Sequence, residues 1–190
     1  DYRDFSFMAA LSGEGDSVLV QNYIYDTDEV LMDWEDQILE TGSMITSFSK
    51  LLMDYPFWRE KYGHAMAPMG GGMEHQTMTT IHDFGFYLVA HELAHQWFGD
   101  SLTPSVWADI WLNEGFARYS EALWLEESEG RQAYLDYMAR IGPERHPDLF
   151  ISMGILTDPD PILPNLLVYN KGAWVLHMLR YVMGTDTFFD

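Results

Sequence analysis

Apolar and polar positions change period along the chain, and the changes mark out its elements. Ser17 to Tyr25 (SVLVQNYIY) concentrates β-branched and aromatic residues, which predicts a strand, with another expected before it at about Phe5 to Leu11. From Asp28 to about Asp54, apolar residues such as Val30, Leu31, Trp34, Ile38, Ile45 and Phe48 recur at helical spacing. A long amphipathic helix is expected there, interrupted or kinked near Gly42 and stopped before Pro56. Tyr62 to Pro68 and the stretch MEHQTMTTI suit two further strands. Between them Gly70, Gly71 and Gly72 permit unusual backbone angles and the close approach of a ligand.

Phe86 to Phe98 (FYLVAHELAHQWF) is apolar around most of its circumference, which predicts a buried helix with Gly99 as its C-cap. The polar residues within it therefore need partners. Asn113 is the expected N-cap of a helix through Glu127, and Arg131 to Ile141 and Val168 to Met183 read as two more helices. Residues 142 to 164 carry Pro143, Pro147, Pro159, Pro161 and Pro164 and read as a long irregular connection, which in compact domains is often functional. Thr185 to Asp190 (TDTFFD) has the form of an opening helical turn, so the sequence is expected to be a piece of a longer protein. The order of elements implies an α+β architecture. A mixed sheet-and-helix lobe over residues 1–99 is followed by a helical lobe over residues 100–190.

Composition narrows the partners. The 190 residues are 47% hydrophobic and 15% aromatic, enough for a packed core. Thirty acidic residues against ten basic ones give a formal charge of −20, which repels a phosphate backbone, so nucleic acid is not an expected partner. Cysteine is absent, which excludes disulfides and thiolate metal sites and leaves any metal to nitrogen and oxygen ligands. No signal peptide is recognisable, and no apolar run approaches the ~18 residues that span a bilayer, so a soluble chain without a transmembrane segment is expected.

The candidate chemistry lies in His91-Glu92-Leu93-Ala94-His95. Histidines four apart on a helix project from one face about a turn apart and can share a cation, and two imidazoles without thiolates favour zinc. Glu92 points about 100° around the helix from His91, too far to be the natural third ligand but near enough to reach a water on the metal. It is the candidate general base. Leaving two histidines and a glutamate in an apolar helix without a metal or hydrogen bonds would cost heavily in desolvation. A structural zinc usually closes with four protein ligands, whereas a base beside the metal suits an open, catalytic site.

These residues resemble a known family. HELAH, followed after eighteen residues by Glu114 within NEGFA, is similar to the glutamate-zincin signature of the M1 aminopeptidases. Gly71-Gly72-Met73-Glu74 resembles their exopeptidase motif, and Tyr169 within YNKGA resembles their catalytic tyrosine. The motifs stand in family order over residues 71–173. One departs from the pattern: His75 follows Glu74 where the family usually has Asn.

The resemblance implies a thermolysin-like zincin domain with its zinc site in the cleft between the two lobes. One Zn²⁺ per chain would be held by His91, His95 and Glu114, with Glu92 as base and Tyr169 as hydrogen-bond donor to the tetrahedral oxyanion. Gly71, Gly72, Met73 and Glu74 would bind the substrate, a peptide with a free N-terminus whose α-ammonium pairs with Glu74. The family's flanking N-terminal β domain and C-terminal helical domain lie outside this sequence. Glu121, two helical turns after Glu114, is placed to accept the ring N–H of a ligating histidine or to serve in a salt bridge. His64, His82, His146 and His177 match no ligand spacing and are expected at the surface or in packing. Aminopeptidase activity is the leading expectation. An endopeptidase on the same zinc lobe, or a fragment that binds zinc and peptide without turnover, are the alternatives.

Overall fold

The computed structural model describes residues 1–13, 15–142 and 166–190. The proline-bearing connection expected over 142–164, and His146 within it, therefore lie almost wholly outside the described residues. Two compact units emerge, Asp1–Ser101 and Leu102–Asp190.

The first unit is a five-stranded mixed sheet with two helices. Strands β1 (Tyr2–Ala10) and β2 (Ser17–Tyr25) pair antiparallel along their whole length, Tyr2 opposite Tyr25 and Ala10 opposite Ser17. Alternate residues of β2, Val18, Val20, Asn22 and Ile24, face inward and are buried, the period-two pattern of a half-buried strand. Helix α1 (Asp28–Leu51) then crosses over to β3 (Tyr62–Met66), which lies parallel to β2, and parallel neighbours need a connection of about this length. Strands β4 (Gly72–Met73) and β5 (Thr79–Ile81) complete the order β1-β2-β3-β5-β4, with β4 antiparallel to β5 and at the end of the sheet.

Helix α1 runs unbroken through Gly42, contrary to the expected kink. A methyl group at Gly42 would sit 3.1 Å from the Phe7 ring and 3.5 Å from the Ala9 Cβ, so the glycine serves a close approach of helix to sheet. The stretch from Met73 to Ile81 is also more broken than its composition suggests. Two short strands flank a turn in which Thr77 takes the left-handed φ of 62°.

Helix α2 (Phe86–Ala94) ends four residues sooner than expected. Past Ala94 the bonds tighten to the i−3 type, Gln96 N–H to Leu93 O and Trp97 N–H to Ala94 O, and Gly99, at φ 139°, lies in the turn beyond. Trp97 anchors this tightened end against Phe48 and Tyr55, with ring centroids 5.9 and 5.5 Å away.

His64 on β3 is a packing residue, as expected, and a fully buried one. Its Nδ1–H donates to Asn22 Oδ1 at 2.7 Å, while Asn22 Nδ2 donates to Phe5 O. Burial pushes the imidazole down from 6.5 to about 3. The unfolded chain thus binds a proton between those two pH values that the folded protein refuses. Folding stability should fall as pH drops through that window, by up to about 1.4 kcal/mol per pH unit. Urea unfolding at pH 7, 6 and 5 checks this. The slope should flatten in His64→Gln, and an unchanged slope there would assign the acid sensitivity to other groups.

The second unit is helical. A short 3₁₀ turn, Trp107–Asp109, leads into α3 (Trp111–Glu129), followed by α4 (Arg131–Ile141), a π-helical segment (Leu166–Lys171), α5 (Gly172–Met183) and α6 (Thr185–Phe189). Asn113 does not cap α3. The helix begins two residues earlier, continuing from the 3₁₀ turn, whose backbone carbonyl at Ile110 accepts from both Asn113 and Glu114. Gly130, Gly142 and Gly184 end α3, α4 and α5 with positive φ. His177 is also a packing residue: its Nδ1 lies 2.6 Å from Tyr134 Oη, which in turn lies 3.0 Å from Tyr119 Oη. Among the described residues, no helix is long and apolar enough to cross a membrane.

Candidate functional site

In the first unit the end of α2 presents His91, Glu92 and His95 together, all buried. The Nε2 atoms of the two histidines face each other at 3.2 Å, with rings nearly perpendicular at 83°. His95 Nδ1–H donates to Phe98 O at 3.0 Å, which leaves the Nε2 lone pair to act as a ligand. Two nitrogens each ~2.0–2.1 Å from a tetrahedral zinc stand about 3.3 Å apart, so the pair fits a shared ion.

Glu92 lies against β4. A Cβ built on Gly72 would come within 2.7 Å of Glu92 Cγ, Cδ and Oε1, so no larger residue fits at Gly72 while Glu92 holds its place. The glycine expected to admit a substrate thus also admits the candidate base. Gly71, next to it, takes φ 72° and its carbonyl accepts from His82 N–H. Met73 is exposed at the open end of the sheet. Glu74 follows immediately, half-buried, and its carboxylate, that of Glu92 and an imidazole nitrogen of His95 lie within 4.8 Å of one another. The motif carrying Glu74, expected to read the substrate amine, and the motif carrying Glu92, the candidate base, therefore converge within one unit.

His75, which stands where the family usually has Asn, is exposed, with its Nδ1 2.9 Å from Thr80 Oγ1. Asp100, which sequence reasoning passed over, returns to the same neighbourhood through its N–H to His95 O at 3.0 Å. Burial, reinforced by the Glu74 carboxylate, pushes Asp100 up to about 6.

In the second unit Glu114 is buried in the first turn of α3. Its neighbour Gly115 meets Gly172 at the start of α5 with nothing between: a Cβ on Gly115 would lie 2.8 Å from Gly172 Cα and 3.3 Å from Val168 O. Tyr169, one residue beyond Val168, packs on Ile110 and Val168. The backbone around Glu114 and the segment bearing Tyr169 are thus joined. Glu121 is 1% exposed and accepts from Arg118 Nη1 at 3.0 and 3.1 Å and from the Tyr137 hydroxyl. Burial, then the Glu121 charge, push the Tyr137 phenol up, which keeps it a donor. Arg118, also missed in the sequence, lies over the Tyr169 ring at 5.8 Å. Its signal was its place three residues before Glu121, one helical turn away.

Comparison with known proteins gives the family. The peptidase family M1 domain matches residues 74–190, more than half of the sequence, and the chain belongs to that family. Aminopeptidase N of Streptomyces lividans is 31% identical over 184 residues, covering 81% of this chain and 21% of the relative. An M1 zinc metallopeptidase from Deinococcus radiodurans superposes with a TM-score of 0.74 at 27% identity, covering 99% of this chain and 41% of that one. A mutant form of the Deinococcus enzyme bound to a Tyr-Ser-Ala substrate gives 0.72 at 28% identity, covering 97% of this chain and 42% of that one. The chain thus spans a fifth to two fifths of the length of these relatives.

Proposed function

We propose that the protein is a zinc-dependent aminopeptidase that releases the N-terminal residue of a peptide. The observation that carries this reading is the convergence of Glu74, Glu92 and His95, which puts a carboxylate suited to an α-ammonium beside a candidate base and a candidate ligand. The names of relatives as aminopeptidases and zinc metallopeptidases support it, as does the peptide substrate bound to a solved one.

On this reading His91, His95 and Glu114 hold one zinc ion. When bound, the ion supplies positive charge that polarises the scissile carbonyl and acidifies the attacking water. Glu92 accepts the proton of that water and passes it to the leaving amine. The Tyr169 phenol donates a hydrogen bond to the oxyanion, with Arg118 over its ring and Glu121 supporting the arrangement by fixing Arg118. Gly71 and Gly72 offer backbone to an extended peptide lying along the outer side of β4, an added strand in hydrogen-bonding terms. Met73 lies beside it.

Glu74 confers the requirement for a free amine. A peptide that is blocked or internal brings no charge to this half-buried carboxylate and leaves it to be desolvated unpaired. Glu74→Gln should therefore lose most of the preference for free over N-acetylated peptides, measured as the ratio of kcat/KM values. If that preference survives undiminished, Glu74 does not read the amine, and an endopeptidase becomes the better reading.

A further inference from the structure

The turn between β4 and β5 carries Glu74, and one buried side chain from the zinc helix's end reaches into it. Gln96, the residue after His95, is 0% exposed. Its Oε1 accepts the Thr77 N–H at 2.8 Å, and its Nε2 makes a longer contact of 3.5 Å to His75 O. The Tyr55 hydroxyl, which also reaches Lys61 O at 3.0 Å, lies 3.3 Å from the same Oε1. Tyr55 is in turn wedged by Trp97 and Tyr62, with ring centroids 5.5 and 5.9 Å away. The amide is therefore oriented from the core side and bonds outward to the turn.

Thr77 needs such a restraint. It holds a φ of 62°, a conformation a β-branched residue disfavours, and such a backbone persists only where its surroundings impose it. The bond from its N–H to Gln96 supplies that imposition. The stretch bearing Glu74 is then fixed at two points. Gly72 lies flush against Glu92 on one side of it, and Thr77 is tied to Gln96 on the other.

We propose that Gln96 is a specificity-determining positioning residue: its side-chain amide locks the Glu74-bearing turn at a set distance from Glu92 and His95. This rests on the proposed reading of Glu74 as the amine-binding group. A carboxylate that selects one charge does so only if it cannot retreat, and a displacement of about 1 Å is enough to change rate constants by up to a hundredfold. Gln96 touches no reacting atom and acts through Glu74.

Three variants of the zinc-loaded protein test this, each checked for zinc content. Gln96→Met keeps the volume and removes the amide's contacts with Thr77, His75, Tyr55 and Asp100. Amide hydrogen exchange at Thr77 should quicken about tenfold or more, and the preference for free over N-acetylated peptides should fall by about tenfold to a hundredfold. Gln96→Glu, held neutral by its burial beside Asp100, retains an oxygen for the Thr77 N–H and a donor toward Asp100, and should keep both properties near wild type. It carries the test if the Met variant fails to fold. Unchanged Thr77 exchange in Gln96→Met, or fast exchange with the preference intact, overturns the proposal, as does loss of the preference in Gln96→Glu with Thr77 still protected. Glu74→Gln should abolish the preference with Thr77 exchange unaltered. Survival of the preference in that variant places the failure in the reading of Glu74, and the exchange measurements then still decide whether Gln96 locks the turn.

Discussion

Glu92→Gln is expected to lower kcat by about 10²–10⁴-fold with the zinc content unchanged. The substitution exchanges one oxygen for an NH₂ group of the same shape. Shape matters here because the ideal Cβ position of Gly72 lies only 2.7 Å from Glu92 Cγ, Cδ and Oε1, a slot that Gln fills as Glu does. The strand that carries Gly72 should not move, and neither should His91 or His95, whose ring nitrogens face each other one turn along the helix. What disappears is the ability to take a proton from water at neutral pH. The loss corresponds to about 3–5 kcal/mol of transition-state stabilisation, and KM should change far less than kcat. Steady-state kinetics with metal analysis on the same samples makes the check. A variant retaining activity within about threefold would falsify the assignment of Glu92 as base.

The second large effect is on stability. Gly115→Ala should destabilise the protein although alanine is the better helix former. Replacing an interior helical glycine by alanine is worth about 1 kcal/mol in propensity. Against this stands a new methyl 2.8 Å from Gly172 Cα and 3.0 Å from its carbonyl carbon. Both are backbone atoms, so no rotamer change clears the space and α3 and α5 must separate. Overpacking of this kind costs typically 1–3 kcal/mol, and more where backbone must shift. The steric term therefore prevails, and the thermal midpoint should fall by several degrees, at about 2–4 °C per kcal/mol for a chain of this size. Gly172→Ala should behave alike, since its methyl would lie 2.7 Å from Gly115 Cα. A rise in midpoint in either variant would show that the helices part easily.

Much of the candidate site was legible because it is written in local periods. Two histidines four apart on an apolar helix state their own geometry, and the structure brings their Nε2 atoms together. Glycines beside Glu74 pointed to close approach, which the structure turns toward Glu92. Less was legible where tertiary context overrides a local sign. Gly42 looked like a helix breaker, yet α1 packs on β1 through that gap, and the packing outweighs the propensity. Asn113 looked like a cap, yet a 3₁₀ turn upstream supplies the carbonyl that starts the helix. Gln96 gave no signal beyond being a polar residue in an apolar run, because its partners Thr77 and Tyr55 lie 19 and 41 residues away. Arg118 is similar: its place over Tyr169 depends on a contact across 51 positions, which no local pattern encodes.

The bare contact between Gly115 and Gly172 has a mechanical consequence. Two helices separated by side chains can slide, because rotamers absorb small displacements. Backbone resting on backbone has no such cushion. With Glu114 directly before Gly115 and Tyr169 three residues before Gly172, a push on the phenol should reach the carboxylate as a rigid shift. If Glu114 is a ligand and Tyr169 the oxyanion donor, the two functions are geared together. A small molecule that wedges the tyrosine aside should then loosen the metal without touching it.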